Sequence, residues 1–230
     1  MKKYSLTFLL IFCASLLSSY GGVYPIQVTD FEVVIVKVPA NVVWSDDDNA
    51  SCNLDCSEET KDKIEFVQDG KTLTIKWKTN NMSWNDKSGR LLIKLQSSSL
   101  SRVSINGSGE FIMKNANDND SFEYSINGSG DLKAMINAKS CKGSINGSGN
   151  AFLGGTADFY SCSINGSGDV KAIGLKAKSV EVKISGSGDA EVQVTESLDI
   201  KISGSGDVRY QGDPKKIDQK ISGSGSIKKV

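Results

Sequence analysis

Histidine is absent from the 230-residue sequence. That removes the commonest general base, the commonest metal ligand and every nucleophile that a histidine would activate. An enzyme built from this chain would have to work with carboxylates, lysine or tyrosine alone. Net charge is absent as well: 27 Lys and Arg balance 27 Asp and Glu. With no overall field to draw in a polyanion, nucleic-acid binding is not expected. No segment is apolar for long enough to span a bilayer, because even the run from Tyr4 to Leu17 falls short. Helix formers are not clustered, and no pair of cysteines has zinc-ligand spacing.

What is there begins with "MKKYSLTFLLIFCASLLSSYGG". Lys2 and Lys3 precede the short apolar run, and Ser18, Ser19 and Gly21 follow it. This is the pattern of a secretory signal peptide over residues 1–20, which places the chain in the periplasm, at the outer-membrane surface or outside the cell. Cys13 follows Phe12, where a lipid-anchor site wants a small residue. Export makes disulfides possible for Cys52, Cys56, Cys141 and Cys162. Cys52 and Cys56 would lie about 13 Å apart in one strand and could pair only across a turn. Cys141 and Cys162 sit on adjacent repeats, two residues out of register. For either pair, a bridge and two buried free thiols remain open alternatives.

Those repeats dominate the second half. "SINGSG" occurs at Ser104, Ser125, Ser144 and Ser163, and "ISGSG" at Ile184, Ile202 and Ile221. The first glycines of the GSG triplets are 21, 19, 19, 20, 18 and 19 residues apart. A fixed period near 20 marks a solenoid. Two residues before each of those glycines stands Ile105, Ile126, Ile145, Ile164, Ile184, Ile202 or Ile221. Stacked, they form one internal column, worth on the order of 10–20 kcal/mol of burial before entropy is counted. The next position is Asn106, Asn127, Asn146 and Asn165, then serine three times. Stacked asparagines can bond up and down at the ~4.8 Å spacing of neighbouring strands. The four Asn-Gly-Ser triplets are explained by this repeat rather than by glycosylation. The glycines allow a sharp turn with backbones close together.

Around the turns the apolar residues alternate, as in "DAEVQV" and "LDIKI". A 19-residue unit is too short for a strand plus crossover helix, which takes about 30. The fold is therefore expected to be all-β: a right-handed single-stranded parallel β-helix with rungs of about 19 residues. Residues 105–230 form its regular GSG part. Residues 21–104 form an irregular β portion that starts and caps the same coil, with a hairpin-type turn at Asp69-Gly70. Lys228 and Lys229 guard the strand edge at the far end.

The signal peptide, the segment "VKVPANVVW…KIEFVQDGKTLTIK" and the tandem I-[NS]-G-S-G-[DN] rungs resemble one known family. This is the auto-transporter adhesin family with the head GIN domain, found in exported proteins of Bacteroidetes-type bacteria. The resemblance covers almost the whole chain after the leader. It implies a pectin-lyase-like right-handed β-helix and a role in adhesion, with no established catalytic residues.

Candidate sites are few. After the GSG triplets come Glu110, Asp131, Asn150, Asp169, Asp189, Asp207 and Ser226. Asp131, Asp169, Asp189 and Asp207 could form a ligand-binding or calcium-binding carboxylate file. Against that, calcium β-rolls use their motif twice per coil, and turn-flanking Asp commonly bonds nearby backbone N–H groups. Lys133, Lys171 and Arg209 share the face and would offset the like charges. Trp84, in the polar stretch 79–89, is the aromatic that could stack on a sugar; Trp44 and Trp77 read as core. No metal and no cofactor is expected. The chain reads as an exported, non-catalytic binder of glycan or surface protein. The alternatives are a polysaccharide lyase or hydrolase on the same helix, and a structural element that self-assembles into homo-oligomers through open coil ends and flat faces.

Overall fold

The structure, a computed structural model, describes residues 21–79 and 91–230. The expected signal peptide over 1–20 and Trp84 lie outside the described residues. In chain order the strands are β1 (Gly22–Ile26), β2 (Val33–Val36), β3 (Asn41–Asp46) and β4 (Ser51–Cys56), then a one-turn helix α1 (Glu58–Lys61). Next come β5 (Ile64–Asp69), β6 (Thr72–Trp77), β7 (Leu92–Ser97) and β8 (Arg102–Gly107). The long strands are β9 (Glu110–Gly128), β10 (Asp131–Gly147), β11 (Asn150–Gly166), β12 (Val170–Gly186) and β13 (Ala190–Gly204). The last three are β14 (Val208–Gln211), β15 (Lys216–Gly223) and β16 (Ile227–Lys229).

Each of β9 to β13 is one full coil of a β-solenoid, ending on the first glycine of a GSG triplet. Neighbouring coils pair in parallel, isoleucine on isoleucine and glycine on glycine, from Ile105 and Gly107 up to Ile221 and Gly223. The register is enforced by the pleat, since a one-residue slip would turn every apolar side chain to solvent. Ile105, Ile126, Ile145, Ile164, Ile184 and Ile202 are buried. Ile221 is a correction to the expected seven-membered internal column: it is 43% exposed, because β15 pairs with β13 on one side and, among the described residues, with no strand on the other.

The two glycines of each triplet answer different demands. Gly166 has φ +131°, a region L side chains rarely adopt, and a Cβ there would lie 2.4 Å from Gly147 O. Gly168 would put a Cβ 2.1 Å from Gly149 O and 2.9 Å from Ile145 Cγ2. The isoleucine methyl of one coil thus packs over the second glycine of the next. The turn is narrow because both residues lack side chains.

The first half joins the same sheet, but not as consecutive coils. β2 lies between β6 and β8, parallel to both, and β3 lies between β7 and β9. The β2–β3 unit is thus a rung in which residues 37–40 replace the GSG turn, and Glu110 N donates to Ala40 O at 3.2 Å. The β6–β7 unit is the rung outside it, although it comes later in the chain. The isoleucine file therefore continues outward through Val36 to Ile75. Antiparallel strands close this end: β4 covers β7, β1 covers β4, and β5 covers β6 through the turn at Gly70, φ +55°. Antiparallel capping of this kind hides a parallel edge.

Trp44 is fully buried and donates from Nε1 to Ser97 Oγ at 2.9 Å, while Trp77 is half-buried against the core. Tyr124 and Tyr160 are also inside. Gly143, on the coil between them, leaves the space that the Tyr124 ring fills, and the two hydroxyls meet at 2.8 Å. All four described cysteines are buried free thiols, so neither bridge forms. Cys52 and Cys56 share β4, and Cys141 lies in register with Tyr160 rather than with Cys162.

Candidate functional site

On a coil with a packed interior, the chemistry available to a partner is on the outside. Just before the GSG turn, alternate residues point outward and stack in files. One file is Asn106, Asn127, Asn146 and Asn165, whose amides bond in series: Nδ2 of Asn127, Asn146 and Asn165 donates to the Oδ1 one coil below at 2.9, 3.0 and 3.0 Å. Beside it, Ser125 Oγ donates to Ser104 Oγ at 2.8 Å. Replacing Asn127 with alanine removes two amide bonds at an exposed position. A loss of about 1 kcal/mol in urea-induced unfolding is expected, since an exposed hydrogen bond is worth ~0.5–1.5 kcal/mol net.

At the fifth repeat both files change together. The serine file of Ser104, Ser125, Ser144 and Ser163 gives way to Lys183, Lys201 and Lys220 in the same register. The asparagine file gives way to Ser185, Ser203 and Ser222. "SINGSG" becomes "KISGSG". Sequence reasoning caught the second change and missed the first, although aligning one more position would have shown it. The smaller serines leave a shallow groove of about 370 Å³ along the coil axis, lined chiefly by Lys183, Lys201, Lys220, Ser185, Ser203 and Ser222.

A third file, two residues earlier, is acidic: Glu181, Asp199 and Asp218. Lys183 Nζ lies 2.7 Å from Glu181, and Lys201 Nζ lies 3.1 Å from Asp199. The hydrogen bond to Glu181 raises the Lys183 ammonium above its ordinary value. The groove thus offers ammonium and hydroxyl donors, flanked by carboxylate acceptors, once per coil. Two of its three ammonium groups, those of Lys183 and Lys201, are paired with the acid two residues earlier.

The carboxylate file after the GSG turns serves the fold. Asp131 Oδ1 accepts from Asn150 N at 3.0 Å, and Asn150 Oδ1 from Asp169 N at 3.1 Å. Asp169 Oδ1 accepts from Asp189 N at 3.0 Å, and Asp189 Oδ1 from Asp207 N at 2.8 Å. Asp207 Oδ1 accepts from Ser226 N and Oγ at 2.8 and 2.9 Å, and those bonds pull its carboxyl below the usual range. One oxygen of each residue knits its coil to the next. Of the three cations on this face, Lys133 meets a member of the file, Glu110, at 2.5 Å. Arg209 reaches Glu191 at 2.9 Å, and Lys171 sits over the Phe152 ring at 5.3 Å. Tyr160 and Tyr210 are buried. Among the described residues, no three acidic or cysteine side chains converge on a space for a metal ion.

Residues 30–214 match the family described as putative auto-transporter adhesin, head GIN domain. A putative adhesin from Bacteroides fragilis has the same fold at 22% identity and a TM-score of 0.86, covering 93% of this chain and 98% of its own. A putative lipid binding protein from Parabacteroides distasonis is 27% identical, with a TM-score of 0.72 over 92% of this chain and 97% of its own. A putative adhesin from Parabacteroides merdae is 20% identical, with a TM-score of 0.68 over 92% and 97%. No protein of curated function matches the chain.

Proposed function

The chain belongs to the putative auto-transporter adhesin family with the head GIN domain, and from that premise we propose that it is an exported, non-catalytic adhesin whose Lys/Ser groove holds a neutral glycan. The observation that carries this reading is the joint switch to Lys183, Lys201, Lys220 and Ser185, Ser203, Ser222 on successive coils. A row of identical donors repeated at the ~4.8 Å strand spacing suits a polymer that presents the same groups repeatedly. Lysine supplies three N–H donors, and serine both donates and accepts, which matches sugar hydroxyls. Glu181, Asp199 and Asp218 beside the row repel a polyanion and can accept from the same hydroxyls. Each contact is weak and exposed, so affinity comes from engaging several coils at once.

Binding rather than cleavage is supported by the placement of the acids. Glycoside hydrolysis uses two carboxyl groups facing each other across one bond, about 5–10 Å apart. Here the acids run in files, and those after the turns are engaged in holding coils together. Export is supported by Lys2 and Lys3 ahead of a short apolar run.

Restoring the serine of the early repeats tests the groove. The Lys183→Ser/Lys201→Ser double variant should keep its β-sheet circular dichroism. On a glycan array followed by calorimetry of the hits, it should lose at least about tenfold in affinity, a loss of ~1.4 kcal/mol. Glycan binding by the parent that the double variant leaves unchanged would remove the groove from the proposal.

A further inference from the structure

β15 is exposed at all eight positions, although the residues beneath it, Leu198, Ile200 and Ile202, are buried. Among the described residues its hydrogen-bonded neighbour is β13 alone. Ile217 and Ile221 are each 43% exposed, and they point the same way as the buried Leu198 and Ile202. Between them, in the file occupied below by Val182 and Ile200, stands a polar residue, Gln219. An exposed edge with apolar inward residues is a template for another strand.

The sequence of this edge, Lys216-Ile217-Asp218-Gln219-Lys220-Ile221-Ser222, is complementary to itself read backwards. Directly opposed residues of an antiparallel pair share a face. With Gln219 opposite Gln219 of a second copy, Ile217 falls opposite Ile221 and Asp218 falls opposite Lys220, each twice. Lys216 then meets Ser222. Shifting the centre to Asp218 opposes Asp218 to itself and Lys216 to Lys220. Shifting it to Lys220 opposes Lys220 to itself. Shifts by one residue would turn one copy's inward face to solvent. One register satisfies both faces.

The files below extend the match. Lys183, Lys201 and Lys220 of one copy line up with Asp218, Asp199 and Glu181 of the other, and the reverse holds on the neighbouring file. We propose that β15 pairs antiparallel with β15 of a second copy about a two-fold axis at Gln219, giving a closed dimer with one continuous sheet. Such an interface uses the same patch on both subunits and ends with two chains, so it does not grow into a fibre. Gln219 is then accounted for: its amide can both donate and accept, so two of them across the axis satisfy each other.

Charge exchange tests this directly. Sedimentation equilibrium of the protein, in a series reaching about 100 µM, should give twice the mass of one chain. Asp218→Lys places Lys opposite Lys220 twice and should yield monomer, as should Lys220→Asp. The double variant Asp218→Lys/Lys220→Asp restores opposite charges in the same register and should restore the dimer. A parent that stays monomeric throughout, single variants that dimerise as the parent does, a double variant that remains monomeric, or masses above the dimer would each overturn the proposal. Glycan affinity does not enter these readouts, so this pairing and the groove stand or fall separately.

Discussion

Between about pH 10 and pH 12 the solenoid is expected to unfold. Burial pushes Cys52, Cys141 and Cys162 up to about 12, and it raises Tyr124 and Tyr160 well above their ordinary range. In the unfolded chain a thiol ionises near ~8.5. Above that pH the unfolded chain releases protons that the folded chain holds, so stability is intact below ~8.5 and falls as the pH climbs towards 12. Each thiol contributes about 1.4 kcal/mol per pH unit, so the three together lose roughly 4 kcal/mol per unit. Domains of this size are stable by about 5–15 kcal/mol, which two to three units remove. Far-UV circular dichroism through an alkaline titration should show a cooperative loss of β signal. The Cys141→Ala/Cys162→Ala variant should lose it at higher pH than the parent. A β signal that persists unchanged through pH 12 would contradict the burial of these groups.

The second large effect is expected at Gly166. Alanine there meets two separate penalties. Its backbone sits at φ +131°, a conformation that costs a non-glycine residue about 1–3 kcal/mol, and its methyl would lie 2.4 Å from Gly147 O. Forcing atoms into a packed site costs a further ~1–3 kcal/mol. Gly166→Ala should therefore destabilise by about 2–6 kcal/mol in urea-induced unfolding. Ser167→Ala, one residue on in the same turn, serves as the control and should change stability by less than about 0.5 kcal/mol, as surface substitutions usually do. Equal effects at the two positions would mean that the coils do not approach as closely as the stacking of GSG on GSG requires.

Much of this architecture was readable in the residues because a solenoid repeats its contacts at a fixed interval. Ile126, Ile145 and Ile164 declare their stacking by recurring at the same phase, and Asn127, Asn146 and Asn165 declare their amide file in the same way. The role of Asp169 and Asp189 was harder to read. Turn chemistry suggested a bond to a nearby N–H, whereas the N–H that each accepts lies 20 and 18 residues ahead, on the next coil. The first half hid its plan for a related reason. Val34 contacts Leu73 on one side and Val103 on the other, so the β2 rung is sandwiched between later segments. Alternating strands without a period carry no mark of their partners. Lys183, Lys201 and Lys220 were visible in the repeat, yet they lie one position outside the columns that isoleucine and asparagine draw the eye to.

Because each coil from β9 to β13 meets the same kind of surface above and below, its length is a free parameter of the design. A segment such as 148–166 could be duplicated or excised in frame, and the flanking coils would close on faces they already fit. Variation in the length of the solenoid would then need no new packing solution, since whole turns could be gained or lost while both terminal structures stay intact.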